Sequence, residues 1–415
     1  MAQTPSAYPA ATRASSPDTA DTADAVVVGG GTVGGWCAYF LAQAGLDRVV
    51  LLESDRLGQG ASSRAAGIVR SQGGTRWAVD LGEWSRRFYL TQRDRLGLDS
   101  GFTPQGYLLP CFTETDIAAA RARLAMQHEA GLDARWVTPG ELDALAPTMA
   151  PGKTVGGTYF AGDGYITPPR NVLAYAVAAV QAGVDVREGV RFTGVRTTGD
   201  RVTHVETSAG TIASDRVVLT GGPKLAAIGA LAGIRIPVGG VRHQIAVTEP
   251  HDAFDPARTP MVFDVVAGLY WRPEERGLLF GMSNPDEPPG KAREIDEPYL
   301  AKMRRRLAEL VPATDGLGLR RCWAATIDFT PDHLPILGPA ITDDGVLAGV
   351  TVAAPGGHGM MWGPGVSRVA ADLALTGTTD VTDVTDLGLD RFDADGRSRL
   401  PADPIALPFP DAPTA

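Results

Sequence analysis

The segment AVVVGGGTVGGWCAYFLAQAGLDRVVLLES, Ala25 to Ser54, restricts this chain more than any other part of it. Ala25–Val28 is a β-branched run of the buried-strand type, Thr32 to Ala44 has a helical pattern that Gly45 ends, and Arg48 to Leu52 reads as a second strand. Between the first strand and the helix, Gly29, Gly31 and Gly34 fill the spacing G-x-G-x-x-G. The first glycine permits the tight turn, the second lets a pyrophosphate approach the backbone, and the third lets helix pack on strand. The unpaired NH groups of the first helical turn, at Thr32 and Val33, then face the phosphates. Glu53, with Ser54 beside it, ends the second strand about 20 residues beyond the turn, where a carboxylate accepts from a ribose diol. The unit predicts a dinucleotide site. NAD and FAD both satisfy the motif, while Glu53 would repel the 2′-phosphate of NADP.

The rest of the chain sets the class. Its 415 residues suffice for two domains, and 44% hydrophobic with 21% charged residues is a globular balance. A net charge of −10 disfavours nucleic acid or an anionic membrane as partner. Cys37, Cys111 and Cys322 are far apart, which predicts neither a disulfide framework nor a metal site and fits a reducing cytoplasm. Residues 1–24 are small, polar and Pro-containing, and read as a disordered tail without a secretory core. No run is long and apolar enough to span a bilayer.

Later glycine-rich turns show that the nucleotide unit is not one continuous block. A helix is expected at Asn171 to Ala182. Short strands broken by TTGD and SAGT follow, and APGGHGMMWGPGVSRVAADLALTG is a glycine loop leading into a helix at about Pro364 to Leu375. This interleaving favours FAD over NAD. Together with the opening unit, the loop GASSRAAGIVR, the strand RVVLTGGP and the segment TIDFTPDHLPILGP, it resembles the FAD-dependent oxidoreductases that include D-amino-acid, glycine and sarcosine oxidases and dimethylglycine dehydrogenase. The resemblance runs from about Ala25 to Gly377.

It implies an α/β fold: a Rossmann-type FAD-binding domain interleaved with a substrate domain on a mostly antiparallel sheet plus helices. The expected FAD-binding parts are 25–74, 150–238 and 326–378, and the substrate parts are 75–149 and 239–325; 379–415 forms a C-terminal extension. Ser62, Ser63 and Arg64 would meet the pyrophosphate, while Ala66, Gly67 and Ile68 would pass close to the flavin. A strand at Val190 to Val195 would contribute Val190 near the adenine, although buried strand is the simpler reading of those valines. Thr220, Gly221 and Gly222 would form a second turn near the dinucleotide. Gly357, His358, Gly359, Met360 and Met361 would lie beside the isoalloxazine. There the helix dipole would stabilise charge on the reduced ring.

On the substrate side, Arg70 follows the serine loop where sarcosine oxidases bind the substrate carboxylate, a surface or interdomain ion pair being the competing reading. Tyr270 and Arg272 share one strand face, and Arg242 is a weaker candidate that could only brace the fold. Where glycine and D-amino-acid oxidases carry a carboxylate-binding Arg, this chain has Ile327. Where sarcosine oxidases have a Lys associated with oxygen reduction, it has Met361. Arg64 and Ala325 stand where relatives link the flavin covalently, and Cys322 is three residues too early, so noncovalent FAD is expected. Ile327 and Met361 beside Met360, Trp362, Ile68 and Trp271 suggest an apolar pocket. The expected substrate is an N-substituted glycine with a bulky apolar group, oxidised to amine and glyoxylate with O2 as acceptor. A dehydrogenase passing electrons to a partner and a non-catalytic flavin module are the alternatives.

Overall fold

The computed structural model describes residues 21–408. The tail expected at 1–24 falls outside these residues up to position 20, as do the last seven positions of the expected C-terminal extension. The described end of that tail is ordered: Thr22 bridges Ala213 in parallel, and Asp21 pairs with Arg187. Residues 21–24 therefore extend the sheet edge, a correction to the tail boundary.

Among the described residues, one sheet has nine strands and a largely parallel centre. Ala25–Val28 lies between Val49–Glu53 on one side and Val217–Leu219 on the other, all parallel. Asp185–Glu188 and Gly345–Ala354 continue the sheet in parallel on either flank. The central strands are buried on both faces, against helices on one side and against Phe192, Val202, Val205 and Ile212 of neighbouring antiparallel strands on the other, which is why they read as unbroken Val and Leu runs. Thr32–Gln43 packs against both Pro168–Gln181 and Gly363–Thr376. Trp36, fully buried, holds this contact: its indole NH donates to Asn171 Oδ1 at 3.1 Å, and its ring meets Phe88 edge-on at 4.9 Å.

The second sheet has eight strands. It is antiparallel except where Met261–Asp264 runs parallel to Tyr107–Cys111. Helix Glu297–Leu310 buries Tyr299, Met303, Leu307 and Leu310 in the core on this side.

Two elements lie elsewhere than expected. Gly156–Phe160, placed by sequence in the FAD-binding part, pairs with Tyr107–Cys111 and Arg135–Val137 in the second sheet. Arg76–Leu96, placed in the substrate part, buries Ala78, Leu81, Phe88 and Tyr89 in the core around Trp36. The aromatic side chains of this helix complete the packing of Phe40 and Trp36, so tertiary burial overrides its position in the chain.

Candidate active site

The glycine turn after Ala25–Val28 opens one end of a cavity of about 470 Å³ that runs between the two sheets. Gly29 has φ +109°, which a side chain would strain, and its NH reaches the Leu52 carbonyl at 2.8 Å. Gly29, Gly31, Thr32 and Val33 line the cavity. Gly34 does not; a Cβ there would collide with the Gly29 carbonyl oxygen, so its smallness serves helix-to-strand packing. The helix starts without a side-chain cap of its own. Instead Ser62 Oγ accepts from the Thr32 NH at 3.0 Å, which fastens the serine loop over the helix N-terminus. Ser62 faces the cavity, whereas Ser63 is outside its lining.

Glu53 and Ser54 lie on the same wall. One Glu53 oxygen accepts from the Gly30 NH at 2.8 Å and the other from the Asp55 NH at 2.9 Å, so the carboxylate is held at the strand end. Val190 lines the cavity just before a strand that begins at Phe192, two residues later than sequence suggests, and its NH donates to the Glu53 carbonyl. Thr220, Gly221 and Gly222 close this end, with the Thr220 hydroxyl donating to Val28 O at 2.8 Å. Arg64 also reaches the cavity, but its guanidinium is drawn to the backbone carbonyls of Gln59 and Gly60. The Thr32 NH, expected to be unpaired, is thus taken by Ser62; the narrow glycine turn, the helix end lining the cavity and the held carboxylate fit a dinucleotide, and the cavity continues past them for a bulkier second half.

That continuation passes Ala66, Gly67 and Ile68, then Gly357, His358 and Gly359, then Met360 and Met361. His358 is buried, stacks on Trp362 at 3.9 Å, and has Nδ1 3.0 Å from the Gly356 carbonyl. Burial, with the Arg70 charge adding to it, pushes its pKa down to about 3, so the imidazole is neutral near neutral pH. Asp328, which accepts from the Gly357 NH at 3.3 Å, also lines the cavity, and burial raises its carboxyl.

At the far end stand Arg70 and Tyr270. Arg70 is buried, its guanidinium lies 5.3 Å from the Phe263 ring centre, and its Nε has no hydrogen-bond partner. Among the described residues it forms no ion pair. Tyr270 shares this end with His243, whose Nε2 is 2.8 Å from the tyrosine hydroxyl. Burial pushes the histidine down to about 4 and the tyrosine above its ordinary range.

Arg272, expected beside Tyr270, is outside the cavity lining. Its Nε donates to the Ala66 carbonyl at 2.9 Å, Nη1 pairs with Glu274 at 2.6 Å, and the group stacks over Tyr165. Two residues along the strand are enough to carry it past the cavity edge. Arg242 pairs with Glu287 and Asp296 and so braces the loop before Glu297–Leu310. Of the apolar residues expected in the pocket, Ile68, Ile327, Met360 and Met361 line it, whereas Trp271 and Trp362 are fully buried core. Sequence reasoning missed Tyr107, His243, Phe263, Asp328, Ile405 and Leu407. Only His243 left a trace, as a polar residue at an inward position of an otherwise apolar alternation with Val241 and Ile245.

Comparison with known proteins agrees with this geometry. The chain is 30% identical over 364 residues to a 4-methylaminobutanoate oxidase (formaldehyde-forming) of Paenarthrobacter nicotinovorans, covering 85% of this chain and 44% of the relative. It thus spans less than half the length of that curated relative. Its fold is similar to L-proline dehydrogenase from P. horikoshii, with a TM-score of 0.80, 25% identity, and coverage of 88% of this chain and 96% of that one. For glycine oxidase from Geobacillus kaustophilus the TM-score is 0.77 at 26% identity, covering 90% and 100% of the two chains. Residues 24–373 match the DAO family, described as FAD dependent oxidoreductase, and the chain belongs to that family.

Proposed function

We propose that the protein oxidises the C–N bond of a secondary amino acid of the N-substituted glycine type. One observation carries this reading: Arg70 is a buried cation at the end of the cavity remote from the dinucleotide turn, its Nε has no hydrogen-bond partner, and the carboxylates that act on its charge, Asp163 and Asp403, form no direct ion pair with it. A buried guanidinium without a directly bonded carboxylate is only partly compensated, and an entering carboxylate would satisfy it through two parallel, charge-assisted hydrogen bonds. Ile68, Phe263, Ile327 and Met361 line the same cavity and favour an apolar substituent on the nitrogen.

FAD, when bound, supplies the hydride acceptor for the α-carbon. The substrate R–NH–CH2–COO⁻ gives up a hydride and becomes an iminium, which adds water and separates into the amine and glyoxylate. Arg70 orients the carboxylate so that the α-carbon is presented in one pose. Tyr270, its hydroxyl paired with His243, offers a polar contact beside it. With His243 held at about 4 and His358 at about 3, neither imidazole is charged near neutral pH, so neither repels a proton-bearing amine or donates a proton to a neutral one. Molecular oxygen is the proposed final acceptor, leaving as hydrogen peroxide.

The test is anaerobic titration of the holoenzyme with sarcosine, glycine, proline and N-carboxymethyl alkylamines, read at the visible flavin band. N-alkylglycines should bleach it and free glycine should not. A band that no N-alkylglycine bleaches would overturn the reading. A second reading, a dehydrogenase serving a protein acceptor, is favoured by Met361 lining the cavity where sarcosine oxidases carry a Lys. Turnover with an artificial dye but without hydrogen peroxide would select it.

A further inference from the structure

Resting on the function just proposed, we infer that the C-terminal segment 389–408 builds the specificity wall of the substrate end, with Ile405 and Leu407 meeting the N-substituent. The segment lies beyond residues 24–373, the stretch that the family model matches.

Its path is fixed at both ends. Arg391 grips Asp332 through Nε and Nη2 at 2.7 and 3.0 Å, with both side chains buried, and also donates to the Leu387 and Leu334 carbonyls. Further along, the Asp403 NH donates to the Asp332 carbonyl at 3.1 Å. Asp403 then folds the chain over: its side-chain Oδ1 accepts from the Ile405 NH at 3.0 Å, and its carbonyl from the Ala406 NH at 3.1 Å. This turn drives Ile405 inward until none of it is exposed.

Ile405 and Leu407 both line the cavity. They pack in the apolar cluster that holds Ile68, Phe263, Tyr270 and Met361, which places them at the Arg70 end, away from the glycine turn. Two glycines elsewhere in the chain leave room for the segment. A Cβ on Gly74 would collide with Asp403 Oδ1, and one on Gly268 would press on Pro408. A mere surface appendage would need neither a fully buried isoleucine nor a seat cleared on two other loops.

An apolar wall discriminates by methylene fit, each methylene accommodated changing affinity by about fourfold. Leu407 is the better probe because it is only partly buried. Leu407→Ala and Leu407→Phe holoenzymes are compared with the unsubstituted protein across N-alkylglycines from methyl to octyl. The readout is the dissociation constant from anaerobic flavin reduction, with retained flavin absorbance and melting temperature reporting the fold. Leu407→Ala should shift preference toward longer chains, with the long-to-short affinity ratio rising roughly fourfold to tenfold, while Leu407→Phe should lower that ratio. N-methylglycine should bind all three alike. Ile405→Val provides a milder change at the second contact and should move the ratio in the same direction as Leu407→Ala. If the unsubstituted protein is bleached by N-alkylglycines but these variants leave the ratio unchanged, the wall is wrong and the function stands. If no N-alkylglycine bleaches the unsubstituted protein, the function falls and the wall with it.

Discussion

The Tyr270 hydroxyl stands 2.8 Å from His243 Nε2 inside the cavity, and the two rings stack with centres 5.7 Å apart. His243 Nδ1 has no hydrogen-bond partner, so the hydroxyl is the contact that this ring does have. Burial holds the imidazole at about 4 against an ordinary value of 6.5. The folded state therefore binds its proton less readily than the unfolded chain. The stability this gives is present above pH 6.5 and is lost as pH falls toward 4, by roughly 3 kcal/mol across that window. His358, held at about 3, acts in the same direction. Melting curves of the protein between pH 7 and 4 should fall steeply, and His243→Gln should flatten part of that slope. An unchanged slope would show that His243 does not titrate this way.

Arg70 gives the sharpest functional prediction. If it receives the carboxylate, Arg70→Met should weaken N-alkylglycine binding on the order of 100-fold, the loss of a paired charge-assisted contact. Arg70→Lys should recover part of that, because it restores charge without the two-pronged geometry. Flavin content and its oxidised spectrum should change little in either variant. Equal affinity in all three proteins would remove Arg70 from the substrate site.

Asp332 and Arg391 are nearly without exposure and meet through two hydrogen bonds. Removing one partner leaves the other charge buried and alone, so Asp332→Asn and Arg391→Leu should each cost about 3–5 kcal/mol of stability. The double variant should cost less than the sum of the two. Thermal melts of the four proteins check this through a double-mutant cycle.

The parts legible in the sequence are those whose cause is local. Gly29, Gly31 and Glu53 are separated by a strand-helix-strand distance that repeats wherever this turn forms, and they line the cavity together. Tyr270 and Arg272 show the limit: a shared strand face was readable, but which of the two reaches the cavity depends on Ala66 and Glu274, distant or unpatterned partners. Ile405 and Leu407 left no signal because their segment has no periodicity and is shaped by Asp332, more than seventy residues earlier. The helix Arg76–Leu96 lies within the expected substrate part 75–149 yet packs around Trp36, since an aromatic helix face records burial without saying against what.

Gly34 is where local geometry makes the strongest demand. It lies outside the cavity lining, yet a Cβ there would collide with the Gly29 carbonyl oxygen and press on the Thr220 hydroxyl. Both neighbours belong to the turns that close the dinucleotide end, and the Thr220 hydroxyl already donates to Val28 O at 2.8 Å. Relief would push the helix away from the strand and open the glycine turn. Gly34→Ala should therefore yield protein with little FAD and a stability loss of at least about 1–3 kcal/mol, the usual cost of overpacking. Gly45→Ala is the control, because a Cβ at Gly45 meets nothing within 4 Å, although its φ of +100° adds strain of its own. If Gly34→Ala retains full flavin while Gly45→Ala does not, the close approach of helix and strand is not what holds the nucleotide end together.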